Sequence, residues 1–259
     1  MISINTIKGL ILDMDGVLWR GSETIGNLSE IFFRIRARGW RITLATNNAT
    51  RTIAQYVDRL ASYSVLVEPW QIINSAIATA QYLHDQFPQG GPVYLIGENG
   101  LVEALEQQGF YQSDQHVVAV VSSMDRQVNY DKLRKATLLI RGGALFVATN
   151  PDRTFPSPEG LVPGAGSILA ALEAACYVKP VITGKPSPAM YNIALSRLGL
   201  SPSETLVVGD RAETDIAGAQ LIGCRTALVL SGVTSSDEAQ AWQPAPDLII
   251  EDLDSITRL

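Results

Sequence analysis

Cysteine is nearly missing. Only Cys176 and Cys224 occur in 259 residues, and they form no C-x-x-C pair. So few thiols exclude a secreted disulfide framework and point to two reduced, partly buried side chains in a cytosolic protein. A basic stripe is also missing. Lys and Arg number 20 against 26 Asp and Glu, a formal net charge of −6, so binding to nucleic acid or to an anionic membrane surface has no electrostatic support. Long hydrophobic runs are absent too. Met1 to Leu12 holds one lysine and a short apolar run leading into an acidic motif, the mark of neither a signal peptide nor a membrane span. A cytoplasmic location is expected. No internal repeat or low-complexity tract occurs. The remaining balance, 46% apolar and 18% charged residues, is that of a globular chain and excludes disorder.

What is present is alternation. Ile7 to Leu12 reads as a buried strand, Leu28 to Arg38 as an amphipathic helix stopped by Gly39, Arg41 to Ala45 as a strand, and Arg51 to Tyr63 as a helix. The pattern returns near the C-terminus. There Val181 to Thr183, Glu204 to Val208, Thr226 to Leu230 and Leu248 to Ile250 read as strands, with helices near Ala189 to Arg197 and Asp215 to Leu221. Between these halves a segment has strands of its own at Val93 to Ile96, Val117 to Val121 and Leu145 to Ala148. Helices at Leu101 to Gln107, Tyr130 to Ile140 and Gly166 to Ala175 alternate with them. Pro88 to Pro92 and Pro151, Pro156, Pro158 and Pro163 punctuate its flanks. The expectation is an α/β protein: a parallel-sheet core of residues 1–79 and 180–259, with an inserted α/β domain of residues 80–179. A single larger sheet is the alternative.

Four polar motifs follow predicted strands. Asp13-Met14-Asp15-Gly16-Val17 offers two carboxylates around a tight turn. One can attack phosphorus while the other protonates a leaving oxygen, although Asp and Gly are also ordinary turn residues. Thr46-Asn47-Asn48 can donate to phosphate oxygens or simply cap the following helix. Gly184-Lys185-Pro186 presents an ammonium from a rigid loop, where it can meet a phosphoryl group and a carboxylate or face solvent. Gly209 to Asp215 places Asp210 and Asp215 about a turn into a helix. They can hold Mg²⁺, a hard cation that keeps several waters, or serve only as an acidic helix start, the role left to Glu213. Each motif alone is ambiguous. In a parallel sheet, though, all four meet at one edge, where ligands bind beyond the carboxyl ends of strands. There Asp13, Asp15, Asp210 and Asp215 would repel one another without Lys185 and a cation.

With these motifs in this order, the chain resembles the haloacid dehalogenase-like hydrolases, and more narrowly the NagD / p-nitrophenylphosphatase-like phosphatases. Ala148 to Asp152, Pro163 to Ser167 and Leu230 to Thr234 strengthen the likeness, which spans nearly the whole chain. The resemblance implies a Rossmann-like core with a cap that closes over the site and sets specificity. It implies Asp13 as nucleophile and Mg²⁺ ligand, and Asp15 as general acid/base with its carbonyl on the metal. Thr46, Asn47 and Lys185 would bind the phosphoryl group; Asp210 would be the third metal ligand and Asp215 would orient the ligands. Met14 is expected in core packing, while Asn150 and Asp152 are candidates to face substrate or to form a turn.

The expected activity is Mg²⁺-dependent hydrolysis of a small-molecule phosphomonoester through an aspartyl phosphate on Asp13. A phosphotransferase or mutase would use the same intermediate, and a receiver-like signalling protein also uses Asp and Mg²⁺. The latter fits poorly with Asp15, which would hasten loss of the acyl phosphate. A silent scaffold fits poorly with an intact catalytic set. Phosphoglycolate, sugar phosphates, nucleotides and pyridoxal phosphate all suit as substrates, and a homo-oligomer is compatible with the sequence.

Overall fold

The computed structural model describes residues 4–157 and 159–259, so Met1 to Ser3 and the punctuating Pro158 lie outside the described residues. The chain divides into two compact units. One comprises Met1–Thr46, Ala54–Ile73 and Lys185–Leu259, the other Asn47–Ile53 and Asn74–Gly184.

The first unit is built on a six-stranded sheet. Its strands run in the order Leu248–Ile250, Arg225–Val229, Thr205–Gly209, Gly9–Leu12, Arg41–Thr46 and Ile72–Asn74. Gly9–Leu12 pairs in parallel with Thr205–Gly209 on one side and Arg41–Thr46 on the other. Gly9, Leu10, Ile11 and Leu12 are all buried, as in a strand covered on both faces, which is why the run is uniformly apolar. Helix Leu28–Ala37 buries Leu28, Ile31, Phe32 and Ile35, spaced i, i+3, i+4, i+7 along one stripe. Asn27 caps it by accepting from the Glu30 N–H at 3.3 Å. Helix Pro188–Leu198 opens with Ser187 as cap and Pro188 in its first turn, where a missing N–H costs nothing.

The second unit has a five-stranded sheet of its own, in the order Val181–Ile182, Leu145–Ala148, Ala119–Ser122, Gly91–Ile96 and Phe110–Gln112. Every pairing in it is parallel. One apolar cluster gathers Ala76, Leu83, Leu101, Leu105 and Phe110, and another Ala136, Ile140, Leu169 and Leu172.

The expected class, a parallel-sheet core with an inserted α/β unit, is the observed one. Most elements end within a residue or two of their expected limits. The helix expected from Asp215 differs, because a π-helical turn at Ala212–Ile216 precedes helix Ala217–Leu221. Helix Ser75–Gln86 and the two-stranded ribbon of Trp19–Arg20 with Glu23–Thr24 were not anticipated. Met14 is fully buried, as expected. No helix among the described residues is long and apolar enough to cross a membrane.

Both cysteines are free and buried. Burial pushes the Cys224 thiol up to about 12. At pH 8 its thiolate population is therefore about one in ten thousand, and the thiolate is the species that alkylates. Iodoacetamide at pH 8 should leave Cys224 unmodified in the native protein and modify it in urea, read by peptide mass spectrometry. Rapid native labelling at this position would contradict the burial.

Candidate active site

Strand register carries the acidic motif to its place. Leu12 is level with Val208 and Leu44, and the next residue, Asp13, donates its backbone N–H to the Val208 carbonyl at 2.9 Å. The chain then turns tightly. The Met14 carbonyl accepts from the N–H groups of Val17, Leu18 and Trp19, and Gly16 N–H donates to the Trp19 carbonyl at 2.8 Å. Gly16 has φ +88°, and a Cβ there would overlap the Asp210 carboxylate, so glycine is required twice over.

Lys185 reaches this point from 172 residues away. Its Nζ donates to Asp13 Oδ1 at 2.5 Å, to Asp215 Oδ1 at 2.6 Å and to the Ala45 carbonyl at 3.0 Å, filling its three donor positions. Lys185 is 3% exposed, Asp215 1%, Asp210 2% and Asp13 8%. Asp215 Oδ2 accepts from the Arg211 N–H at 3.0 Å. The π-helical turn carrying Asp215 is held from behind by Tyr191, whose buried hydroxyl lies 3.0 Å from the Thr214 and Asp215 carbonyls. Asp210 Oδ2 accepts from the Val233 N–H at 2.7 Å, and its carbonyl from the Thr234 N–H at 3.2 Å. A Cβ at Gly232 would collide with the Asp210 side chain, so the Ser231–Thr234 loop approaches Asp210 as closely as backbone can.

The electrostatics are unbalanced. Ligand oxygens of Asp13, Asp210 and Asp215 lie within 4.8 Å of one another. Burial raises the Asp13 pKa well above the ordinary carboxylate range; Lys185 opposes this while Asp215 and Asp210 add to it. Asp210 is pushed up to about 7, by burial first and the Asp215 charge second. Burial alone would lower the Lys185 pKa, but Asp13 and Asp215 outweigh it and raise the value well above that of a free lysine. Three carboxylates against one ammonium leave a deficit of positive charge. Protons or a cation must fill it. Buried, hard oxygen donors at this spacing suit a small divalent ion.

Of the residues singled out from sequence, Asp13, Lys185, Asp210 and Asp215 are thus brought together. Thr46 is buried at the end of its strand, one residue beyond the Ala45 carbonyl that Lys185 contacts. Asp15 is half-buried, and its Oδ1 accepts from the Trp19 indole N–H at 2.9 Å. Asn47 belongs to the second unit, where its amide donates to Asp152 Oδ2 at 3.1 Å and its carbonyl accepts from Asn150 and Ser75. Asn150 and Asp152 also form a turn with each other, Asp152 N–H donating to Asn150 Oδ1 at 3.1 Å. Sequence reasoning missed Trp19 and Tyr191, since a buried aromatic in an apolar run carries no signal of a polar task.

Removing the ammonium should expose its cost. Lys185→Met leaves two buried carboxylates without their partner and should lower unfolding free energy by about 3–5 kcal/mol, measured by urea denaturation at neutral pH. Wild-type stability in that variant would show that the carboxylates are not ionised against Lys185.

Comparison with known proteins agrees with this geometry. A family profile described as haloacid dehalogenase-like hydrolase matches residues 10–111, and one described as HAD-hydrolase-like matches residues 182–256. The chain is 36% identical over 247 residues to an acid sugar phosphatase of Staphylococcus aureus, covering 95% of each. A 4-nitrophenylphosphatase structure from Thermotoga maritima superposes with a TM-score of 0.93 at 30% identity, covering 99% of this chain and 98% of the other. A glycerol phosphate phosphatase from Mycobacterium tuberculosis, solved in complex with magnesium, gives 0.91 at 32% identity, covering 100% of this chain and 80% of the other.

Proposed function

The chain belongs to the haloacid dehalogenase-like hydrolases, in the group of NagD and the p-nitrophenylphosphatases, and is a phosphoric monoester hydrolase of that type; we propose that it works through a phosphoryl group carried on Asp13. The observation that carries this reading is one buried carboxylate, Asp13, paired to Lys185 within reach of Asp210 and Asp215.

Asp13 attacks phosphorus, the bond to the ester oxygen breaks, and Asp15 gives that oxygen a proton. Water then attacks the aspartyl phosphate while Asp15 takes up its proton, and breaking the phosphorus–Asp13 bond releases inorganic phosphate. Enzymes accelerate phosphomonoester hydrolysis by up to about 10²¹-fold, which no single group supplies. Lys185 opposes protonation of the nucleophile and meets the phosphoryl charge, and Thr46, with Asn47 next in the chain, donates to phosphoryl oxygens. Asp13, Asp210 and the Asp15 carbonyl would hold Mg²⁺, with Asp215 fixing Lys185 and the turn beside them. When bound, the ion supplies the positive charge that the three carboxylates lack. Support for magnesium comes from the donor set and from the magnesium-bound relative.

The substrate is a small phosphomonoester. The relatives are named an acid sugar phosphatase, a 4-nitrophenylphosphatase and a glycerol phosphate phosphatase, and sugar phosphates, aryl phosphates and glycerol phosphate are the range proposed here, with the inserted unit choosing among them. A metabolite panel scored for phosphate release would identify the preferred ester.

Two outcomes test the mechanism. Asp13→Asn should abolish release of p-nitrophenol from p-nitrophenyl phosphate while leaving the circular dichroism spectrum intact; retained turnover would rule out covalent catalysis. Chelation by EDTA should likewise stop turnover, and added Mg²⁺ should restore it and raise Tm. At one hundred times its dissociation constant the ion would stabilise the fold by about 2.7 kcal/mol. Full activity after exhaustive chelation would overturn the metal assignment.

A further inference from the structure

Arg20 is exposed, yet its guanidinium is tied down. Its Nε donates to the Ser231 carbonyl at 2.6 Å, across 211 residues of sequence. Ser231 is buried, and its hydroxyl in turn donates to the Gly16 carbonyl at 2.7 Å. The next residue, Gly232, abuts the Asp210 carboxylate so closely that a Cβ would collide with it. The guanidinium is therefore anchored one residue from the backbone that closes on Asp210. The ribbon that carries Arg20 is fixed as well. Trp19 before it is fully buried, with its indole N–H on Asp15 Oδ1 at 2.9 Å. The Arg59 guanidinium lies 3.8 Å from the Trp19 ring centroid and donates to the Gly21 carbonyl, and the Tyr63 hydroxyl donates to the Ser22 carbonyl at 2.8 Å.

This anchoring engages Nε and leaves the outer end of the side chain over. Among the described residues nothing accepts from Nη1 or Nη2. Glu23, level with Arg20 across the ribbon, makes no ion pair with it, and neither does any carboxylate of the Asp13–Asp210–Asp215 cluster. A guanidinium held by Nε presents its two Nη groups as a planar fork, matched to two oxygens of a carboxylate or phosphate. Arg211, which follows Asp210, is a weaker candidate for such a task. It lines a cavity together with Glu213 and Glu238, two carboxylates that offset its charge.

We propose that Arg20 is a specificity-determining residue that binds, through its two Nη groups, an oxyanion carried on the alcohol half of the ester, a carboxylate or a second phosphate. This deepens the phosphatase reading above and rests on it. A strap that only tied the ribbon to the loop would use the single donor at Nε; the charged fork beyond it is what an anion needs.

The test uses the full chain with Mg²⁺ and pairs of esters that differ by one anionic group. 3-Phosphoglycerate against glycerol 3-phosphate reads a carboxylate, and fructose 1,6-bisphosphate against fructose 6-phosphate reads a second phosphate. Wild-type kcat/KM should be higher for the member with the extra anion in at least one pair, by about 10-fold or more, and the pair that shows it names the anion. Arg20→Gln should lower kcat/KM for that member by about 10- to 100-fold, chiefly through KM, and for its counterpart by less than about 3-fold. Arg20→Lys keeps the charge and loses the fork, so it should fall between the two, and it decides the matter if Arg20→Gln does not fold. An equal fall on both members of each pair would show a strap alone and overturn the proposal, as would a wild-type enzyme with no preference in either pair. p-Nitrophenyl phosphate separates the layers. Its hydrolysis by a wild-type enzyme without preference sinks only the role of Arg20, whereas no phosphate released from any ester sinks the phosphatase reading with it.

Discussion

The site depends on one shared proton donor, the Lys185 ammonium held between Asp13 and Asp215 in a volume without bulk water. Buried ion pairs of this kind contribute little net stability, because removing both partners from water costs about what their attraction returns. Their presence is better explained by function. An ionised Asp13 is useful only where its charge is desolvated enough to be reactive and paired enough not to take a proton. Lys185 works toward the second condition for Asp13, but burial outweighs it and the Asp13 pKa stays raised, so further positive charge is needed there too. At Asp210 burial and the Asp215 charge outweigh the opposing Lys185 charge and push the pKa up to about 7, which marks where positive charge is still wanted. Backbone groups also meet Asp210, the Val233 N–H at its carboxylate and the Thr234 N–H at its main-chain carbonyl, on a loop that only glycine at position 232 lets come so near.

A parallel sheet makes such a cluster possible. Strands that are neighbours in space, Thr205–Gly209, Gly9–Leu12 and Arg41–Thr46, end at one level because their register is fixed residue by residue. Whatever follows each strand is delivered to the same edge. Sequence distance then ceases to matter, and a whole second unit can be inserted between Thr46 and Lys185 without displacing either from the core.

The same feature explains what was legible. Asp13, Asp210 and Asp215 could be placed from sequence because they follow short apolar runs that are strands of the first sheet, whereas the strand before Lys185, Val181–Ile182, belongs to the sheet of the second unit, so its register does not deliver Lys185. The π-helical turn at Ala212–Ile216 could not be read, since its residues have ordinary helical spacing and the contacts that accompany it, from Asp215 to Lys185 and to the Arg211 N–H, are tertiary or local bonds that no periodicity encodes. Helix Ser75–Gln86 was overlooked for a different reason. Its buried face is Ser75, Ala76, Ala78, Thr79 and Ala80, small residues that carry almost no hydropathy contrast, although Asn74 does cap it by accepting from the Ile77 N–H at 3.0 Å. Trp19 was given no part from the sequence; it is fully buried, and its bond to Asp15 depends on where one nitrogen points, which no periodicity encodes.

The two carboxylates of the D-x-D motif end in different surroundings, and the difference matches the proposed division of labour. Asp13 is buried against Lys185, as a nucleophile must be if water is not to compete for phosphorus. Asp15 is half-buried on the turn that leads into the ribbon, and its Oδ1 accepts from the neutral Trp19 indole N–H. A group that releases and regains a proton in every cycle needs that access.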